Sequence, residues 1–126
     1  MRVKNVTIGI KSVKEMLGEA QSVMERLESG VKVARKRPSI YFDNLDTMRK
    51  AITEERVRII KVIRERHPAS IYELAKMIHR NIKNVSDDVH YLAQLGLIEL
   101  ERAKTNGREK TIPRVNYDKI RLEIAV

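Results

Sequence analysis

Between Ser70 and Gly96 the chain reads SIYELAKMIHRNIKNVSDDVHYLAQLG, two helical patterns separated by a break. Ser70 with Glu73 three residues on is a capping box, and Ile71, Leu74, Ala75 and Ile78 then recur on one face. Ala75 is small enough to let a following helix cross close to this one. Arg80 to Asn84 is expected to form the turn, and a further helix runs to Leu95 with Val85, Val89, Leu92 and Leu95 facing inward, stopped by Gly96. Immediately behind it, Leu97, Ile98 and Leu100 enter a strand. The segment ERAKTNGREKTIPRVN then predicts a hairpin with Asn106-Gly107 at its tip, because both residues tolerate the positive φ of a two-residue type I′ turn. Two short helices at a tight turn with a hairpin behind them form a unit that can present one helix to a major groove and a loop to the backbone.

Upstream, Thr53 is placed to cap another helix, with Glu54 and Glu55 in its first turn, Arg64, Arg66 and His67 in its last, and Pro68 ending it. Val57, Ile59, Ile60 and Ile63 supply its buried face. The N-terminal third differs in character. Val6, Ile8 and Ile10 alternate as in a half-buried strand, and Ser12 with Glu15 is a second capping box. Val13, Met16, Leu17, Ala20, Met24 and Leu27 then recur at helical spacing up to Gly30. That stripe is either core or a dimerisation surface. Arg35, Lys36 and Arg37 before Pro38 mark a junction and are either a solvated linker or phosphate contacts. Ile40 and Phe42 suggest a second strand, and Leu45, Met48 and Ile52 a short helix. The terminal Ile120, Leu122 and Ile124 alternate again, as an edge strand or a dimer contact would.

The expected architecture is α+β, mainly α: a helix-turn-helix with a hairpin wing over 53–126, including a C-terminal strand, and a strand-helix-strand extension over 1–52. The extension is a dimerisation or partner-binding region. With 126 residues, 42% hydrophobic, one Phe and no Trp, the interior must be built from Ile, Leu, Val, Met and Ala. The 26 Lys and Arg exceed 17 Asp and Glu, giving a formal charge of +9. Such an excess suits a polyanion partner, although Lys- and Glu-rich surfaces also serve solubility and stability in hot habitats. The absence of cysteine rules out disulfides and thiolate chemistry and fits a reducing cytoplasm. No apolar run reaches a membrane span and no long h-region opens the chain, so a cytoplasmic protein with no membrane partner is expected.

Catalysis finds no support in the sequence. His67, His79 and His90 are spaced beyond a metal-binding helical step and have no cysteine companions, so neither a metal nor a cofactor is expected. No GxGxxG, GKS/T, GxSxG or HExxH motif occurs. Asp87 and Asp88 diverge by about a hundred degrees on a helix, which makes them a poor acid/base pair. By subtraction, the outward face of the Val85–Leu95 helix offers Lys83, Asn84, Ser86, Asp87 and His90, a mixture of hydrogen-bonding groups of the kind base reading requires. Lys104, Arg108 and Lys110 flank the Asn106-Gly107 tip, where they can reach phosphates or a minor groove. Ser70 and Tyr72 would hold phosphate at the start of the preceding helix.

The succession SIYELAKMI, NVSDDVHYLAQLGLIEL and the Asn-Gly tip resembles the winged-helix DNA-binding proteins related to the MarR and ArsR groups. It also looks like an archaeal and bacterial family of transcriptional regulators sharing an ELA motif (Glu73-Leu74-Ala75), a KN-V-x-x-DV motif (Lys83-Asn84-Val85 to Asp88-Val89) and a GLIEL ending (Gly96 to Leu100). The resemblance implies a DNA-facing role for Lys83, Asn84, Ser86, Asp87 and His90, with Asn106 to Lys110 as wing tip. Family members often carry His or a basic residue at the two positions before the Asp-Val pair. Here those are Ser86 and Asp87, which weakens phosphate affinity through this helix, and Asp88 is assigned a structural hydrogen bond. Some relatives look like antitoxins. The expectation is therefore a homodimeric repressor binding double-stranded DNA. The alternative is an interaction module whose N-terminal third binds a cognate small toxin or another protein. RNA is a weaker third option, because four Tyr and one Phe offer few stacking platforms.

Overall fold

A computed structural model describes residues 5–11, 13–30 and 39–124. Ser12 and the Arg35-Lys36-Arg37-Pro38 cluster lie outside the described residues. The described residues divide into two compact units, one from 5–51 with 119–124 and the other from 52–118.

The first unit is built on a three-stranded parallel sheet ordered β2-β1-β5, from β1 (Asn5–Ile10), β2 (Ser39–Phe42) and β5 (Lys119–Ile124). Strand alternation places Val6, Ile8 and Ile10 on one face. Register sets Ile8 beside Ile40 and Leu122, and Ile10 beside Phe42 and Ile124, so that whole face is apolar. Ile8 is completely buried and Phe42 nearly so. Gly9 faces the other side, where a Cβ would meet the Tyr41 ring at 2.9 Å. Helix α1 (Val13–Glu28) links β1 to β2, and α2 (Leu45–Ala51) follows β2, capped by Asn44 and burying Met48 and Ala51. The Lys11 ammonium bonds Glu19 of α1 at 2.7 Å and lies 4.3 Å from the Tyr41 ring centroid. The Glu19 hydrogen bond raises the Lys11 pKa.

One open alternative is narrowed here and one expectation is altered. Of the two readings of the apolar stripe of α1, core does not hold: Met16, Leu17, Met24 and Leu27 are all exposed. The terminal strand does not belong with the helices of 53–118. It pairs in parallel with β1 from Asn5↔Lys119 to Ile10↔Ile124. Alternation in a sequence identifies an apolar strand face but carries no information about the strand it will pair with.

The second unit contains α3 (Glu54–Arg66), α4 (Ile71–Met77), α5 (Ile82–Leu95) and an antiparallel hairpin of β3 (Glu99–Thr105) and β4 (Arg108–Arg114). Thr53 caps α3 through the Arg56 N–H, and His67 closes it in a left-handed conformation. Ser70 accepts from the Glu73 N–H at 3.0 Å, as its pattern predicts. The turn before α5 is shorter than expected. His79 takes φ +55°, and Asn81 caps the helix by accepting from the Lys83 N–H at 2.8 Å, so Lys83 and Asn84 are already in its first turn. Gly96 ends α5 at φ +86°, and its N–H and that of Leu97 return to the last-turn carbonyls. Asn106 and Gly107 have φ of +55° and +77°, the positive pair a type I′ turn needs.

Ile59, Ile60 and Ile63 of α3, Ile71, Leu74 and Ala75 of α4, and Val85, Val89 and Leu92 of α5 form the core of this unit with Leu97 and Ile98. Leu95, expected inward, is half-buried. The Arg64 guanidinium pairs with Asp118. Tyr117 is buried at the far side of the hairpin and donates its hydroxyl to the Leu97 carbonyl at 2.8 Å; burial raises its pKa to about 12. The raised value means that stability is full below the ordinary tyrosine pKa of about 10 and is lost as pH climbs toward about 12. Tyr117→Phe, which leaves the Leu97 carbonyl without its partner, should cost about 1–2 kcal/mol in urea denaturation at neutral pH and flatten that alkaline decline.

Candidate nucleic-acid interface

The orientation of α5 is pinned by charge as well as by packing. The Asp88 carboxylate accepts from Arg56 Nε of α3 at 3.1 Å and from Arg80 Nη1, in the turn before α5, at 3.0 Å. Arg80 also reaches Glu55 at 3.3 Å, and the Arg56 guanidinium stacks 4.1 Å from the Tyr91 ring centroid. The Asp88 side chain is only 17% exposed, so the network bonds through both carboxylate oxygens in a partly dry setting. Its assignment from sequence as a structural residue agrees with this geometry.

With α5 so held, its outer surface meets the hairpin across a groove of about 480 Å³. Six of the residues selected from sequence line it: Ser70, Tyr72, Ser86, His90, Arg108 and Lys110. The Ser70 oxygen is occupied by the Glu73 N–H, which leaves its own O–H to donate. Tyr72 is exposed and carries the Lys76 ammonium 4.5 Å from its ring centroid. His90 Nδ1 lies 2.7 Å from the Ser86 carbonyl and 3.2 Å from Ser86 Oγ. A carbonyl only accepts, so Nδ1 carries the hydrogen and Nε2 is the ring atom left for an external partner.

The remaining candidates lie elsewhere. Asn84 and Asp87 line a separate hollow with Thr53, Glu55, Arg56, Arg80 and Asp88, where three carboxylates outnumber two cations. At 100° per residue, Asn84 is about 160° around α5 from Ser86, so the outward set spans two sides of the helix rather than one. Lys83 is exposed in the first turn. Lys104 stands opposite Glu109 across the hairpin, which offsets its charge, and Asn106 and Gly107 form the exposed tip.

Sequence reasoning missed Ile82, Thr105 and Thr111, which also line the groove. Ile82 is 42% exposed in the first turn of α5 and was hidden by the expectation of a longer turn; recognising Asn81 as the cap would have revealed it. Thr105 stands opposite Arg108 and shares its side of the hairpin, a consequence of register with no signature of its own.

Helices α3 to α5 and the β3–β4 hairpin thus form one unit with a groove of mixed polar, apolar and charged lining, in which Glu109 accompanies Arg108 and Lys110. Over residues 51–122, more than half of the chain, the sequence matches the family model HVO_A0114, and the chain belongs to that family. Two solved structures are similar at low identity. One is described as a possible transcriptional regulator from Methanosarcina mazei Go1, at 16% identity, with a TM-score of 0.46 over 68% of this chain and 72% of that one. The other is a MarR-like transcriptional regulator from Thermotoga maritima, at 15% identity, with a TM-score of 0.45 over 84% of this chain and 66% of that one. No curated protein matches the sequence. No helix among the described residues is long and apolar enough to cross a membrane.

Asp88→Ala should lower stability by about 1–3 kcal/mol in chemical denaturation, since it leaves Arg56 and Arg80 facing one another across a half-buried site. A loss no greater than that from Asp87→Ala, where the side chain is exposed, would show that the network does not hold α5.

Proposed function

We propose that this protein is a winged helix-turn-helix transcriptional regulator that binds double-stranded DNA, with α5 as the recognition helix and the β3–β4 hairpin as the wing. The observation that carries this is the groove in which Ser86 and His90 of α5 converge with Arg108 and Lys110 of the hairpin. A helix in the major groove needs donors and acceptors on its exposed face and cations beside it to reach the backbone. Ser86 and His90 Nε2 supply the first, Arg108 and Lys110 the second, and Ser70 with Tyr72 is placed against an adjacent phosphate. Ile82 and the Tyr72 ring add apolar surface suited to thymine methyls. The formal charge of +9 favours the same partner. One short recognition helix reads few base pairs, so we infer a homodimer on two half-sites, acting as a repressor in the cytoplasm.

Asn84 and Asp87 are less suited to base reading than Ser86 and His90, because three carboxylates share their hollow with two cations, whereas the groove sets Glu109 alone against Arg108 and Lys110. A second function, protein interaction through the N-terminal unit, is favoured by the exposed apolar face of α1. It is compatible with the first and does not specify a toxin.

Fluorescence-anisotropy titration on duplex DNA from upstream of the gene and on a scrambled duplex, at low and near-physiological salt, tests the proposal. Specific binding that persists at the higher salt is expected. Arg108→Ala combined with Lys110→Ala should weaken binding to both duplexes and reduce the slope of log K against log salt by about 2, close to 0.9 for each phosphate no longer neutralised. An unchanged slope removes the wing from the interface. His90→Ala should lower discrimination between the duplexes more than Asn84→Ala does, and the reverse order would move base reading to the other side of α5.

A further inference from the structure

β5 is an edge strand of six residues, hydrogen-bonded to β1 on one side, and no strand pairs with its outer side among the described residues. Edges are ordinarily blunted by brevity, charged side chains, proline, bulges or inward charges. β2, at the opposite edge, is four residues long. β5 is longer, contains no proline, and presents Ile120, Leu122 and Ile124 on the apolar sheet face, with Leu122 57% and Ile124 55% exposed. Its other face carries Lys119, Arg121 and Glu123. The β1 neighbours of the last two are Thr7 and Gly9, which bring no charge to either.

This sequence is complementary to itself. Laid antiparallel against a second copy with the two-fold axis through Leu122, Leu122 meets its own counterpart and Ile120 meets Ile124. Arg121 meets Glu123, and symmetry makes that pair twice. Every apolar side chain then faces an apolar one, and every charge between 120 and 124 faces its opposite. The neighbouring registers with the same side chains facing each other do not share this property. An axis at Arg121 pairs Lys119 with Glu123 but opposes two arginines at its centre, and an axis at Glu123 opposes two glutamates; like charges directly opposite are destabilising. Of these three registers only the one with its axis at Leu122 sets no like charges opposite, and the charge pattern therefore favours it.

We propose that the outer edge of β5 is the interface of a two-fold dimer, a second copy of this chain adding its own β5 so that the two sheets become continuous. The DNA reading requires two copies but not this interface. The dimer is measured without DNA, so failure of either leaves the other standing.

Because the chain has no cysteine, Leu122→Cys introduces a single thiol at the axis. Opposed Cα atoms in an antiparallel pair lie about 4.5–5.5 Å apart, within disulfide reach. Mild oxidation of the full-length variant should give a covalent dimer, while Ile120→Cys, which would face position 124, should remain unlinked. In sedimentation velocity, Arg121→Glu or Glu123→Arg alone should raise the dimer dissociation constant at least about fivefold by setting like charges opposite at two sites. The double variant should return it toward the wild-type value, with circular dichroism checking that each variant is folded. A chain monomeric at every concentration, a dimer indifferent to the charge changes, or cross-linking from position 120 as ready as from 122 would overturn the proposal.

Discussion

The groove between α5 and the hairpin depends on how α5 is rotated, and that rotation is constrained from two sides. Val85, Val89 and Leu92 must be buried, which fixes the inward stripe to within a fraction of a turn. Asp88, one residue before Val89, is held by Arg56 and Arg80 at 3.1 and 3.0 Å, so one flank of the helix is tied to α3 and to the turn that precedes it. Apolar packing supplies the larger share of the stabilising free energy, but it is non-directional. The paired carboxylate is directional, and it faces Asn84 and Asp87 toward α3 while Ser86 and His90 face the hairpin.

Local chemistry then finishes the surface that this rotation exposes. The Asn106-Gly107 turn sets the hairpin register, and register in turn puts Thr105, Arg108, Lys110 and Ala103 on one face by strict alternation. The Ser86 carbonyl fixes the hydrogen of His90 on Nδ1, so an exposed imidazole presents a defined atom outward. Such restrictions lower the conformational cost of ordering these groups against a ligand.

Much of the second unit was legible in the sequence because its signals are local. Thr53, Ser70, Gly96 and the Asn-Gly pair each act within about three residues of themselves, through a cap, a stop or a turn whose chemistry needs no distant partner. Asn81 belongs to the same class and was overlooked beside Asn84, which lengthened the expected turn and concealed Ile82. The N-terminal unit was less legible. The periodicity of α1 identifies an amphipathic helix equally well whether its stripe is covered or bare, and here Met16, Leu17, Met24 and Leu27 are bare.

The sequence by itself determined the caps of α3 and α4, the Gly96 stop, most of the inward faces of α3 to α5, the type I′ hairpin, and the surplus of basic charge, because each follows from residue chemistry and short-range spacing. Only the tertiary structure decided that β5 pairs with β1 rather than with its neighbours in sequence, that Asp88 is shared between two arginines, and that the candidate side chains of α5 divide between two hollows. Those outcomes depend on which distant segments meet. A linear pattern encodes the face a segment must bury, and the partner that buries it is chosen by the packing of the whole unit.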